Sequence, residues 1–240
     1  VDLAGHPAGN RLPVFARKPA PVQFSMMGYG QTTGLPTIDY RLTDDVCDPV
    51  DEPPRHTETL VRIPHGSFVY ATPTSAPEVG APPAIANGYI TFGSFNNLAK
   101  IGPEVVALWS EILTAIPNSR LLMKNAAFED GGVCQRYRKL FARHHIRPQR
   151  LLFRGYVEST EEHLAAFHDV DVALDPFPYT GATTTCEALW MGVPVVTLRG
   201  SSYVGRMSAS ILTHAGCGYL VSDSPSQYVS TAIGLASDLG

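Results

Sequence analysis

Two segments of the sequence carry side chains that suit the binding of a phosphorylated ligand. Residues 94–101 combine small and amide side chains with Lys100. Residues 175–187 contain Gly181 and three consecutive threonines, 183–185, at the predicted start of a helix. The free N–H groups at a helix N-terminus and the positive end of its dipole bind anions, and threonine hydroxyls add donors. Lys100 could bring its positive charge to the same phosphates.

Glu187 falls in the first turn of that predicted helix, and its carboxylate can accept two hydrogen bonds from a ribose diol. Each of these features also has an ordinary structural explanation. The threonines could simply cap the helix, Glu187 could interact with the helix dipole, and Lys100 could be a solvated surface lysine. Taken together, they predict a pocket for a nucleoside diphosphate.

Composition excludes several classes of protein. The 240 residues carry 18 basic and 22 acidic side chains, a net charge of −4, which argues against nucleic acid as a partner. No run of 18 apolar residues is present, so we expect no membrane span. The four cysteines lie far apart without a CxxC pair, which favours a cytoplasmic location and predicts neither a metal site nor disulfides.

Familiar nucleotide motifs are missing from the sequence. There is no GxxxxGK[ST], and no GxGxxG follows a predicted strand. The sequence therefore argues against a P-loop hydrolase and against a simple NAD-dependent dehydrogenase.

From residue 89 onwards, short apolar runs alternate with amphipathic stretches. Six runs predict strands: residues 89–95, 120–124, 151–153, 170–174, 193–198 and 218–221. Six stretches predict helices: residues 103–116, 133–144, 160–168, 184–191, 208–214 and 227–235. This alternation indicates an α/β fold with a doubly wound parallel sheet. Ligands bind beyond the carboxyl ends of such strands, where both candidate segments lie.

The first 88 residues differ in composition from the rest of the chain. They are rich in proline, which predicts short strands and ordered loops, and residues 76–88 read as a linker. The sequence begins without a start methionine and reads like the middle of a longer chain.

Several long motifs resemble the bacterial O-GlcNAc transferase/SPINDLY family, glycosyltransferase family 41. They are residues 93–101, 174–198, 19–23, 28–29 with 32–36, and 39–40. The similarity is nearly collinear over the whole chain. It implies the GT-B fold of two Rossmann-like lobes, with residues 1–86 as the end of the N-terminal lobe plus linker. Residues 87–240 would form the C-terminal lobe that binds the nucleotide sugar.

The resemblance also implies an activity. The family transfers a sugar, here most simply GlcNAc from UDP-GlcNAc, to Ser or Thr hydroxyls of a protein or peptide acceptor. The implied reaction inverts the anomeric centre and uses neither a metal nor a cofactor. Two alternatives stay open: a GDP-fucose-dependent protein O-fucosyltransferase, and a nucleotide-binding fragment without turnover, since most of the N-terminal lobe and the family's repeats are not in this chain.

By position, the resemblance assigns four residues to the phosphates. Lys100 would meet the diphosphate and stabilise the leaving group, which makes it the candidate catalytic residue. Asn97 would lie near the phosphates, and Thr183 and Thr184 would bind the diphosphate.

Four further residues are assigned to the nucleoside and the sugar. Glu187 stands at the ribose position, and His163 matches a histidine beside the base. Gly28 and Tyr29 fall in the loop that approaches the donor sugar. Ala182 departs from the family pattern, in which histidine or threonine stands here, so one donor contact is expected to be lost.

A few large side chains lie outside this assignment. We expect Trp109, Trp190 and Phe177 in the core. Arg206 either reaches the cleft or pairs with Asp175, and the sequence does not decide between the two.

Overall fold

The computed structural model describes residues 1–52 and 55–238. Pro53 and Pro54, two prolines of the N-terminal segment, lie outside the described residues. So do Leu239 and Gly240, the last two residues of the predicted C-terminal lobe.

The proline-rich N-terminal segment forms a small parallel sheet, which confirms the expectation of short strands. After helix α1 (Leu12–Phe15) come strands β1 (Phe24–Ser25), β2 (Tyr40–Thr43) and β3 (Thr59–Arg62). They pair in the order β1-β2-β3, all parallel.

The stretch read as a linker contains a short helix, α2 (Pro83–Asn87). The Ala84 N–H of this helix donates to Asp171 Oδ1 at 2.9 Å, which ties the stretch to the second sheet. The division of the chain near residue 87 stays a prediction.

The second sheet has six parallel strands, as predicted. They are β4 (Thr91–Ser94), β5 (Arg120–Lys124), β6 (Leu151–Arg154), β7 (Val172–Leu174), β8 (Val195–Leu198) and β9 (Val221–Ser222). Their order is β6-β5-β4-β7-β8-β9. The order reverses between β4 and β7, and a crevice opens at the carboxyl ends of strands at such a reversal.

Six helices cover both faces of this sheet, as expected for a doubly wound fold. They are α3 (Pro103–Ala115), α4 (Gly131–Ala142), α5 (Thr160–Ala165), α6 (Thr183–Trp190), α7 (Met207–His214) and α8 (Pro225–Ser237). Apolar residues of α3, α4 and α8 form one core cluster with the strands. Residues of α5, α6 and α7 form a second cluster. Across the described residues, no helix is both long and apolar enough to cross a membrane.

The three residues expected in the core differ in how deeply they are buried. Trp109 is fully buried, and its indole N–H donates to the Tyr228 hydroxyl at 3.0 Å. Phe177 is half-buried and packs against the same core. The prediction for Trp190 was wrong: it is the last residue of α6, and 52% of it is exposed because it lies two positions after the buried Ala188, on the opposite side of the helix.

A buried carboxylate joins the N-terminal segment to the second sheet. Asp44 is 0% exposed and accepts hydrogen bonds from the hydroxyls of Ser67 and Ser210, at 2.6 and 2.8 Å, and from the Cys47 N–H. Burial opposes its ionisation, but the hydrogen bonds outweigh this effect and hold the pKa of Asp44 below its ordinary value. Ser210 belongs to α7, so this carboxylate fixes the two parts of the chain together.

Arg206 also contributes to this junction. Its guanidinium pairs with Glu52 and donates to the carbonyl oxygens of Gly200 and Cys47. Arg206 therefore pairs with Glu52 and not with Asp175, whose carboxylate is bound by other groups.

Candidate functional site

Lys100 lies in the crevice beyond β4, on a short 3-10 turn, Leu98–Lys100. The Asn97 side chain caps this turn by accepting a hydrogen bond from the Ala99 N–H at 2.9 Å. The lysine ammonium donates to the Thr180 carbonyl oxygen at 2.7 Å and stands 4.2 Å above the centre of the Tyr179 ring. Both contacts come from the loop after β7, so the two neighbouring strands together hold this cation in place.

Two of the three N–H donors of the Lys100 ammonium remain for a ligand, because the Thr180 carbonyl takes one. Burial lowers the pKa of Lys100, and the negative charge of Asp175 opposes that effect. A half-buried, oriented ammonium of this kind suits a site that must stabilise negative charge.

The N-terminus of α6 faces the same crevice. Its N-cap residue is Ala182, and no side chain caps the helix. Thr183 is exposed, whereas the Thr184 hydroxyl donates to Asn96 Oδ1 at 3.3 Å. The helix thus presents an uncapped N-terminus, which is a favourable place for an anion.

Asn96 is a site residue that the sequence analysis missed. It is 7% exposed, and its amide oxygen accepts from Thr184, which leaves the amide N–H groups as donors. The family motif directed attention to the adjacent Asn97, which is exposed and caps the turn. No signal in the sequence distinguishes the two amides.

These groups line one cavity of about 350 Å³ between the N-terminal segment and the C-terminal sheet. Five of the eight predicted site residues line it: Gly28, Asn97, Lys100, Thr183 and Thr184. The structure therefore brings together the residues assigned to the phosphates and one of the two assigned to the sugar-side loop.

Gly28 is required at its position because a Cβ atom there would lie 2.0 Å from the Leu3 carbonyl oxygen. Its neighbour Tyr29 is not among the residues that line the cavity. The Tyr29 ring packs edge-on against His6, with ring centres 5.1 Å apart. The role assigned to Tyr29 stays a prediction.

His163 and Glu187 meet in a second cluster, beside the cavity. His163 Nε2 lies 3.1 Å from Glu187 Oε2, and His163 Nδ1 lies 2.8 Å from Lys124 Nζ. The histidine ring also contacts Phe95 edge-on, at 6.0 Å between ring centres. Lys124 was not predicted as a site residue, because in the sequence it is only the last residue of a predicted strand.

Electrostatic effects connect this cluster to the cavity. Burial lowers the pKa of Lys124, which the charge of Glu187 opposes. Burial and the same carboxylate raise the pKa of the Tyr70 hydroxyl and raise that of the Cys186 thiol to about 11. Tyr70 and Cys186 both line the cavity. The Cys186 thiol is therefore protonated at neutral pH, as expected of a cysteine that is not a nucleophile.

Asp175 lies beneath the loop that leads into α6. It is 1% exposed and accepts hydrogen bonds from the Gly181 N–H and the Thr197 hydroxyl, both at 2.7 Å. Burial raises the pKa of this carboxyl to about 6, against the opposing effect of its hydrogen bonds and of Lys100. Asp175 thereby fixes the loop whose Thr180 carbonyl holds Lys100.

Taken together, the cavity offers an oriented cation, hydroxyl and amide donors, and an uncapped helix N-terminus. Such a set can bind a diphosphate and stabilise the negative charge that develops on it as a leaving group. Over the described residues, no three His, Cys, Asp or Glu side chains come together in a group that could hold a metal ion.

Comparison with known proteins places the chain among glycosyltransferases. The model of Glycosyl transferase family 41 matches residues 1–74 and 82–240. The probable UDP-N-acetylglucosamine–peptide N-acetylglucosaminyltransferase SPINDLY of Oryza sativa subsp. japonica is 46% identical over 239 residues, which cover 100% of this chain and 26% of that protein. The probable UDP-N-acetylglucosamine–peptide N-acetylglucosaminyltransferase SEC of Arabidopsis thaliana is 33% identical, over 98% of this chain and 25% of that protein.

A solved structure agrees with these sequence matches. A mutant of the Thermobaculum terrenum O-GlcNAc transferase superimposes with a TM-score of 0.93 at 40% identity, over 100% of this chain and 45% of that one. The chain thus spans about a quarter of the length of the curated relatives it matches.

Proposed function

Because this chain belongs to glycosyltransferase family 41 and has the GT-B type of α/β fold, we propose that it forms part of an enzyme that glycosylates proteins. The proposed donor is UDP-GlcNAc, and the proposed acceptors are Ser or Thr hydroxyls of a protein or peptide. The name of the rice relative, which specifies UDP-N-acetylglucosamine and a peptide, supports this choice.

One observation carries the proposal: Lys100 and the uncapped N-terminus of α6 line the same cavity. We place the donor diphosphate between them, with Thr183, Thr184 and the amide of Asn96 as further donors. Gly28, on the opposite wall, would leave room for the sugar.

The proposed mechanism is direct displacement at the anomeric carbon by the acceptor oxygen, with inversion. A bond forms from the acceptor oxygen to that carbon as the bond from the carbon to the diphosphate oxygen breaks. The electron pair of the broken bond passes to the diphosphate, and the proton of the acceptor hydroxyl is released to water. Lys100 is already held by the Thr180 carbonyl and Tyr179, so the cation need not reorganise as this charge develops. In this proposal the chain supplies the charge stabilisation with its own groups, without a metal or cofactor.

The nucleoside is proposed to extend towards the second cluster. Glu187 uses Oε2 for His163, and its other carboxylate oxygen remains for the ribose hydroxyls. His163 would lie beside the base.

We also propose a cytoplasmic location without membrane or nucleic-acid partners, supported by the net charge and by four unpaired cysteines.

Calorimetric titration of the chain with UDP, UDP-GlcNAc, GDP and GDP-fucose tests this proposal. Uridine nucleotides should bind, and Lys100→Ala and Thr184→Ala should each weaken binding about 10-fold or more, because each removes a donor to a charged group. Lys139→Ala, at an exposed position on α4, is the matched control and should bind like the unmodified chain.

Other outcomes would redirect the assignment. Preference for guanosine nucleotides would favour the O-fucosyltransferase alternative. Binding without transfer of labelled sugar to a peptide would favour a nucleotide-binding fragment without turnover. If the folded chain bound none of the four ligands, the proposed pocket would be wrong.

A further inference from the structure

Lys124 is a buried lysine in an unusual environment. It is the last residue of β5, only 7% exposed, and its ammonium group lies 2.8 Å from an imidazole nitrogen of His163. Among the described residues, no ion pair joins this ammonium to a carboxylate within 4.0 Å. Burying a charged ammonium is costly, so a lysine placed in this way needs an explanation.

The hydrogen-bond chemistry of the pair fixes the proton on the histidine. A lysine ammonium has donors and no lone pair, so Nδ1 of His163 must accept the hydrogen bond. The neutral ring then carries its proton on Nε2, and that N–H donates to Glu187 Oε2 at 3.1 Å. Lys124, His163 and Glu187 come from β5, α5 and α6, so three separate elements hold one imidazole ring.

Neighbouring aromatic rings restrict His163 further. Phe95 and Phe167 both contact it edge-on, with ring centres 6.0 and 6.2 Å away. One quarter of the His163 side chain remains exposed, and this surface is what a ligand can touch. Because both ring nitrogens are occupied, that surface offers apolar ring area and no free hydrogen-bonding group.

We propose that Lys124 is a positioning residue for the nucleobase: it holds His163 in the Nε2–H form, so that the imidazole meets the base by ring contact alone. This inference rests on the proposed function, because it takes the base to lie beside His163. Lys124 acts through His163 and makes no contact with the phosphates. Selection between bases must then come from groups other than His163.

Nitrogen NMR of the histidine side chains tests the proton arrangement directly. In the unmodified chain, the ¹⁵N shifts of His163 should show Nε2 protonated and Nδ1 unprotonated. In Lys124→Met, which keeps the length of the side chain but removes the donor, the Nδ1 signal should move towards the shift of an unprotonated nitrogen without a hydrogen bond. A protonated Nδ1 in the unmodified chain, or an unchanged pattern in Lys124→Met, would overturn the inference.

Binding of a nucleotide and of its phosphate part alone locates the effect. For the unmodified chain, UDP or GDP should bind more tightly than inorganic pyrophosphate. Lys124→Met should weaken the nucleotide about 10-fold and leave pyrophosphate affinity unchanged, since only the base side is disturbed. Lys124→Arg, which retains a charged donor, should restore most of the affinity, and Lys139→Met serves as the matched surface control.

The outcomes separate this inference from the proposed function. Equal weakening of nucleotide and pyrophosphate would show a general structural role for Lys124 and refute the positioning role. If pyrophosphate bound as tightly as both nucleotides, no base site would exist and the inference would also fail. If neither nucleotide nor pyrophosphate bound, the proposed function would fail, and the NMR pattern would still decide whether Lys124 controls His163.

Discussion

Replacement of Asp175 by asparagine should change how the stability of the chain depends on pH. The carboxyl is buried, and its pKa is raised from 3.8 to about 6, so the fold disfavours its ionised form. Between these two values the folded chain keeps a proton that the unfolded chain has lost, and stability therefore falls as the pH rises. At 1.36 kcal/mol per pH unit, the loss amounts to about 3 kcal/mol.

Urea denaturation at several pH values between 4 and 7.5 measures this effect. Asparagine has nearly the same shape, its carbonyl oxygen can accept from the Gly181 N–H, and it does not ionise. Relative to Asp175→Asn, the unmodified chain should lose about 2.4 kcal/mol of unfolding free energy as the pH rises from 4 to 7, because part of the total loss already occurs below pH 4. Taking this difference removes the contributions of all other titrating groups.

Asp223→Asn is the matched control, because that carboxylate is 65% exposed at the far end of β9. Its pH profile should follow that of the unmodified chain. A constant difference between Asp175→Asn and the unmodified chain over this pH range would refute the reasoning. So would an unmodified chain that gains stability relative to the variant as the pH rises.

Three further predictions concern contacts that hold different parts of the fold together. Asp44→Asn should lower the free energy of unfolding by about 2–4 kcal/mol at pH 7, because a buried acceptor loses its charge. This difference should shrink at pH 3, because the pKa of Asp44 is lowered in the folded chain and its stabilising contribution is lost on acidification. Urea denaturation at both pH values checks this. Trp109→Phe should cost about 2–4 kcal/mol in the same assay, because it leaves a cavity and removes the hydrogen bond to Tyr228; an unchanged midpoint would contradict it. Gly30→Ala should lower the melting temperature by several degrees, because its Cβ atom would lie 2.5 Å from the buried Tyr203 ring; a wild-type melting curve would show that the ring can move.

The sequence predicts the second sheet well because its strands are short apolar runs separated by amphipathic helices. Its last strand shows where such patterns fail. The run at residues 218–221 predicts a strand, but the chain first makes a 3-10 turn, Gly218–Leu220, and only then enters β9. Gly216, at a φ of +78°, ends α7, and the chain needs this turn to reach the sheet edge. The hydrophobic pattern of the sequence does not show that a turn is required here.

Within the candidate site, sequence motifs predict which residues take part better than they predict which residues contact one another. The cavity gathers the residues assigned to the phosphates, because both loops follow neighbouring strands. Lys124 and His163 are 39 positions apart and belong to different elements, so no local pattern links them. The sequence suggests Asp175 only as a possible partner of Arg206, because its actual partners, Gly181 and Thr197, approach it only once the loop is folded back.

The contact between Lys100 and the Thr180 carbonyl has a consequence for the order of folding. It joins residues 80 positions apart across the pairing of β4 with β7. Contacts of such long sequence separation form late, because the chain must first close a large loop. We therefore expect the cavity to be completed late in folding. A nucleotide bound there would slow unfolding and leave the rate of folding nearly unchanged.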